Sequence, residues 1–332
     1  MNTLKFIGKR LLISIVILFF VALIIYILMR SLPSSYIETI ARQRVLTGGA
    51  TGKTFEEWME QLNRQYGMDS GFITGFFRWI GNALSGNFGD SWHFTKPVVE
   101  VFHNSIWISF TMGAIALVFE LIIAIPLGIV AAKKQYSLTD STISVIALAG
   151  ISLPTFFFAA LLKLLFSVKL GWFDLFGLTS NTYYQMTPTQ QFFDKAQHLV
   201  LPIITLVVIS VGSLMRYTRT NMLEVLNADY IRTARAKGLS ERKVVYKHAF
   251  RNTLIPLVTI IGGSLPGLFS GALITETLYS IPGIGYTSYQ AMVAGDIPFS
   301  MFYLTFLSIL TLLGNLIADI LYAVVDPRVR IS

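Results

Sequence analysis

Along the 332 residues, long apolar runs alternate with short stretches that hold most of the charge. The first run, residues 11–29, follows Lys5, Lys9 and Arg10. At ~1.5 Å per residue it nearly fills a ~30 Å hydrocarbon core. It is longer than a secretory h-region and no A-x-A site follows, so it reads as an uncleaved first span. Five more runs, at about 106–132, 142–168, 199–215, 254–278 and 301–325, are each long enough to cross once. Pro126, Pro154, Pro202 and Pro266 inside them are tolerable as kinks in helices that pack on neighbours. The pattern predicts an all-α integral membrane protein: a tail and first span at 1–30, an insertion at 31–105, a five-span core at 106–325 and a tail at 326–332.

The insertion carries helical signals of its own. Thr54 and Glu57 form a T-x-x-E capping box, after which Phe55, Trp58, Met59, Leu62 and Tyr66 recur at helical spacing until Gly67. A second amphipathic stretch covers Phe72, Ile73, Phe76, Phe77, Ile80 and Leu84. Two helices lying on the membrane surface or on each other is the simpler reading; a platform or gate above a pore is the other.

Composition agrees with the pattern. The chain is 54% hydrophobic and 13% charged, with a mean hydropathy of +0.63, a balance suited to a bilayer rather than water. A net charge of +8 could suggest nucleic acid, but the basic residues are placed otherwise. The 216–252 loop alone holds Arg216, Arg219, Arg232, Arg235, Lys237, Arg242, Lys243, Lys247 and Arg251. With Lys133, Lys134, Arg328, Arg330 and the N-terminal cations, most of the Lys and Arg fall on one side of a six-span layout. The positive-inside rule then puts both termini in the cytoplasm and 31–105 outside. There is no cysteine, so disulfides, thiolate metal sites and a Cys nucleophile are excluded.

Candidate chemistry is sparse. Residues 48–54 read Gly-Gly-Ala-Thr-Gly-Lys-Thr, but G-x-x-x-x-G-K-[ST] needs glycine where Thr47 stands, so this is no phosphate loop. His93, His103, His198 and His248 are scattered and make no ligand set or catalytic base, so no cofactor or metal is expected in the chain. Away from the span ends the ionisable residues are Glu120, Lys163 and Asp319. Lys163 is near enough to a span end to snorkel, and Asp319 lies near the end of the last. Glu120 has no partner visible in the sequence. A structural hydrogen bond or a packed protonated carboxyl is the simpler reading for it; proton coupling, as in a proton-coupled secondary transporter, or substrate contact is the alternative. Gly263, Gly267 and Gly271 stand four apart and predict one smooth helix face for close packing.

The stretch from Asp229 to Pro256 predicts two helices around a break, with Gly238 left-handed at the end of the first and Ser240 with Glu241 starting a short second one. That second helix is expected to present Val244, Val245 and His248, rimmed by Arg242, Lys243 and Lys247. This loop resembles the EAA loop of binding-protein-dependent ABC importers, in the version of the B-type membrane subunits of oligopeptide and dipeptide importers. Ala234 and Gly238 keep their places, while Arg232 and Thr233 replace the usual Glu and Ala. Similar blocks follow in family order: Tyr66-Gly-Met-Asp69, Gly86-Asn-Phe-Gly-Asp-Ser91, the segment Glu276 to Gly285, Gly295-Asp-Ile-Pro298 and the ending Asn315 to Arg328. After the first span, Leu32-Pro33-Ser34 stands where the family usually shows Gly-Asp-Pro.

The resemblance implies a type I importer (MetI-like) fold of six transmembrane helices with a small helical insertion outside. It implies a bacterial inner-membrane subunit that forms half of a peptide pathway, paired with a homologous C-type permease subunit. Two ATPase subunits, which bind the ATP and Mg, and an extracytoplasmic substrate-binding protein complete the machine, so the chain itself would be non-catalytic. By the same resemblance Ala234, Gly238, Leu239, Ser240, Arg242, Lys243, Val245 and His248 would couple to the ATPases. Glu276, Pro282, Gly283, Gly285 and Asp296 would meet the binding protein.

Overall fold

A computed structural model of the chain describes residues 3–31, 34–47, 53–65, 69 and 71–325. Among these there are helices, turns and no strand. Four helices are long and apolar enough to cross a membrane, and six spans result if each of two bent helix pairs counts as one. The described chain divides into two compact units, one of residues 105–287 with the chain from 313 onward, the other of residues up to 104 with 288–312.

The second unit is built on α1 (Thr3–Arg30), with α2 (Ser34–Thr47), α3 (Phe55–Gln65) and α4 (Phe72–Leu84). The predicted capping box at the start of α3 is formed: Glu57 N–H donates to Thr54 Oγ1 at 3.3 Å and Thr54 N–H donates to Glu57 Oε2 at 2.8 Å. The apolar face of α3 and part of that of α4 pack inward, while Phe72, Ile73, Phe77 and Leu84 of α4 stay exposed. Trp58, Leu62, Phe76 and Trp79 pack with Ala22, Ile25 and Tyr26 of α1 and with Ile40 and Ala41 of α2 into one core. Elsewhere on α1, Leu12, Ile15 and Phe20 stand exposed, as suits a helix whose solvent is lipid. Tyr66 and Gly67, the loop 48–52 and residues 32–33 lie outside the described residues, as do the side chain of Asp319 and the tail from 326.

The first unit holds most of α5 (Val98–Lys133), with α6 (Leu138–Ser152), α7 (Thr155–Leu162), α8 (Pro188–Leu226), α9 (Asp229–Ala236), α10 (Glu241–Lys243), α11 (Phe250–Ser264) and α12 (Leu273–Tyr279); α13 (Ile284–Val293) and α14 (Ile297–Val325) complete the chain. α6 and α7 bend by 100° at Leu153–Pro154. The residue before a proline is held extended, and Leu153 is at φ −75°, ψ 125°. α8 starts well before the predicted span, at Pro188, behind a capping box of Thr187 and Gln190.

Of the predicted glycines Gly271 makes a close approach, a Cβ there running into Gly285 N, but the long helices pack through others. A Cβ at Gly212 would stand 2.5 Å from Ala147 O, one at Gly150 2.9 Å from Val208 O, and one at Gly128 2.8 Å from Met215 O. These seat α6 and α5 against α8 at backbone distance. Gly263, Gly267 and Gly271 do not share one helix face. α11 ends at Ser264, residues 265–269 form a tighter 3-10 turn, and Gly271 sits beyond it at φ +79°. Pro266 has no N–H to continue the α-helical ladder, which accounts for the change.

Candidate functional site

The loop after α8 folds as a knuckle. α9 ends in a Schellman motif: Gly238 N–H donates to Arg235 O at 2.9 Å and Leu239 N–H to Ala234 O at 3.4 Å, with Gly238 at φ +76°. That left-handed geometry suits glycine, as its position in the sequence predicted. Ser240 then starts α10. Arg235 and Glu241 join across the break in a two-point ion pair at 3.2 and 2.9 Å, and the Glu241 carboxylate raises the pKa of Arg235 above its ordinary value.

Two expectations for this loop need correction. The second helix is not short: α10 runs through a π-helical turn, Val244–Ala249, into α11, bending by 43° only near Leu254–Pro256. Nor are the two valines presented outward. Val244 and Val245 are fully buried, packed with Ile129 and Ala132 of α5, Met222 of α8 and Ile231 and Ala234 of α9. The loop uses its own apolar centre to seat itself on α5 and α8. Left exposed are Arg242, Lys243, Tyr246 and Lys247, with Ser240 and Gly238; Leu239 and His248 are half-buried. Nearby, Arg219 of α8 holds the buried Asp140 at the start of α6 through two bonds of 2.7 and 2.8 Å, an anchor that sequence reasoning missed.

The residues assigned to the binding protein are mostly interior. Glu276 is fully buried, and its carboxylate accepts from Ser109 Oγ at 2.7 Å, Ala272 N–H at 2.8 Å and Tyr286 N–H at 2.9 Å. Ser109 Oγ in turn accepts from Ile284 N–H at 2.7 Å. Gly283 and Gly285 pass so close that a Cβ would stand 2.5 and 3.0 Å from Glu276 Oε2. The segment is a lock between α5, α12 and α13. Asp296, also fully buried, caps α14 by accepting from Phe299 N–H at 3.2 Å and ties Ser91 Oγ and His93 N–H into the second unit. Buried acceptors with satisfied donors cannot also meet a docking partner; of the five residues only Pro282 is exposed.

Glu120 and Ser210 both line a cavity of about 230 Å3 that also touches Ser109, Ser264, Gly267 and Gly271. Lys163 is held by groups of its own chain. Its Nζ donates to Leu278 O at 2.5 Å and stands 3.9 Å from the Phe176 ring centre.

Comparison with known proteins places residues 124–331 in the family of binding-protein-dependent transport system inner membrane components. Over 98% of its length the chain is 34% identical to the oligopeptide transport system permease protein AppB of Bacillus subtilis, covering 99% of that protein. It is likewise 34% identical to the di/tripeptide transport system permease protein DppB of Pseudomonas aeruginosa, with 98% of this chain and 99% of that one covered. Among solved structures, an inward-facing form of the MetNI methionine ABC transporter superposes with a TM-score of 0.52 at 17% identity, over 69% of this chain and 97% of that one. That similarity speaks for the fold.

Proposed function

The chain belongs to the binding-protein-dependent transport system inner membrane components, and from that premise we propose that it forms half of the path by which an ATP-driven importer carries peptides across the bacterial inner membrane. The observation that carries the proposal is the knuckle at 229–249. Its apolar side is consumed against α5 and α8, and its exposed side is a basic surface on a glycine-defined bend. ATPase subunits docking there would move a body that is rigidly joined to two long helices. The mechanism is alternating access: closure of the ATPases draws the knuckles together and the spans change their packing. ATP and Mg would be held by the ATPases, a homologous C-type subunit would complete the path, and a binding protein would deliver the peptide.

The comparisons give no support to a proton-coupled carrier. Vesicle uptake distinguishes the two: the importer requires ATP, is blocked by vanadate and continues when the proton gradient is collapsed. Uptake that follows the gradient and ignores vanadate would overturn the proposal. The proposed orientation, with both termini cytoplasmic, has its own test on this cysteine-free background. Tyr184→Cys, at a side chain 92% exposed, should react with an impermeant thiol reagent in whole cells and Ser240→Cys should not; the reverse labelling inverts the topology.

A further inference from the structure

Three features meet at the Glu120 cavity. First, α5 contributes Ser109, Met112, Gly113, Ala116, Leu117 and Glu120, at steps of three and four. They form one helix face ~16 Å long at ~1.5 Å per residue. Second, the facing wall is the place where the helical run from α11 ends, at Ser264, Gly267 and Leu268 through Gly271. The last carbonyls of a helical run form the negative end of its dipole, and such interrupted helices line ligand paths in membrane carriers because their backbone groups need a polar neighbour. Third, the space is open: a Cβ at Gly267 would meet nothing within 4 Å, and about 230 Å3 is several times the ~30 Å3 share of one water. A carboxylate and a helix C-terminal end are both complementary to positive charge, and among the described residues no Lys or Arg lines the cavity.

We propose that this cavity is a subsite for a cationic group of the passing substrate, with the Glu120 carboxylate as its counter-ion and Ser210 beside it on the cavity wall. The inference rests on the peptide reading. A peptide offers two such groups, an N-terminal ammonium and a Lys or Arg side chain.

The test uses the complete reconstituted importer with its binding protein, with uptake normalised to the binding protein's measured affinity for each probe. The probes are tetra-alanine, its N-acetyl form and N-acetyl-Ala-Lys-Ala-Ala. Loss of a hydrogen-bonded charge contact predicts that Glu120→Gln lowers uptake of a cationic probe by about tenfold or more and spares N-acetyl-tetra-alanine. Loss confined to tetra-alanine identifies the ammonium as the ligand, and loss confined to the lysine probe identifies the side chain. Equal loss on all three probes, or on none, overturns the subsite. Glu120→Asp should keep the preference. Should the Gln variant fail to assemble, Gly267→Leu, which keeps the carboxylate and fills the cavity, must lower uptake of the cationic probes; unchanged uptake refutes the proposal. A wild-type importer that carries none of the probes would instead defeat the peptide reading itself.

Discussion

The knuckle at 229–249 and the lock at 271–286 are both short, glycine-marked segments beside long helices, and they are built on opposite plans. The knuckle hides valines and shows charges: Val244 and Val245 are fully buried, while Arg242, Lys243 and Lys247 stand in solvent. The lock hides its charge, with the Glu276 carboxylate taking three donors from two helices and a turn. A partner can grip the first without disturbing its interior. The second holds its own fold, and outside it leaves the apolar Leu273 and Ile274 with Pro282 but no charge.

The largest effects should come from the lock. Glu276→Ala would strand Ser109 Oγ, Ala272 N–H and Tyr286 N–H, buried donors whose loss of an acceptor costs about 1–3 kcal/mol each. Thermal melting of the purified complex, or its failure to accumulate, should report this, and so should Gly285→Val. If Glu276→Ala melts like wild type but no longer docks the binding protein, the lock is a docking surface and the contrast fails.

Asp140→Asn comes next. It leaves Arg219, 24% exposed, facing a neutral partner, and weakening hydrogen bonds to a charged group costs about 1.5–3 kcal/mol. The melting temperature should fall with α6 and α8 still folded by circular dichroism; an unchanged melt would show that the pair anchors nothing.

Gly238→Val should be milder for the fold and sharper for the knuckle. A side chain at φ +76° costs about 1 kcal/mol or more, most for a β-branched residue. The expected result is a near-normal melt with reduced substrate-stimulated ATPase activity. Smallest of all is Glu241→Ala, since an ion pair whose side chains are 42% and 47% exposed is worth about 0.2–1 kcal/mol. A shift in melting too small to resolve, with coupling little changed, is predicted.

What could be read in advance divides along the same line. The Gly238 break, the Ser240 start and the Thr54–Glu57 box are local devices closed within a few residues, so spacing alone located them. The lock joins Ser109 to Glu276, 167 residues apart, and Asp296 reaches back 205 residues to Ser91. No periodicity records such a pair, and their carboxylates were assigned to a docking surface only by the family resemblance. The glycine face failed for a related reason: four-residue spacing assumed a continuous helix through Pro266, while Gly128, Gly150 and Gly212, on three different helices, make the close contacts between long helices. Val245 was misplaced because an apolar residue in a charged loop can face a partner or its own chain, and only the position of α5 decides.

The central claim is that the exposed basic side of the knuckle, not its valines, is the ATPase contact. The decisive measurement is co-purification of the ATPase subunits, with substrate-stimulated ATPase activity, for Arg242→Glu combined with Lys243→Glu. The account predicts that both readouts fall severely while the membrane subunits melt as in wild type. Co-purification and stimulation at wild-type levels would contradict it.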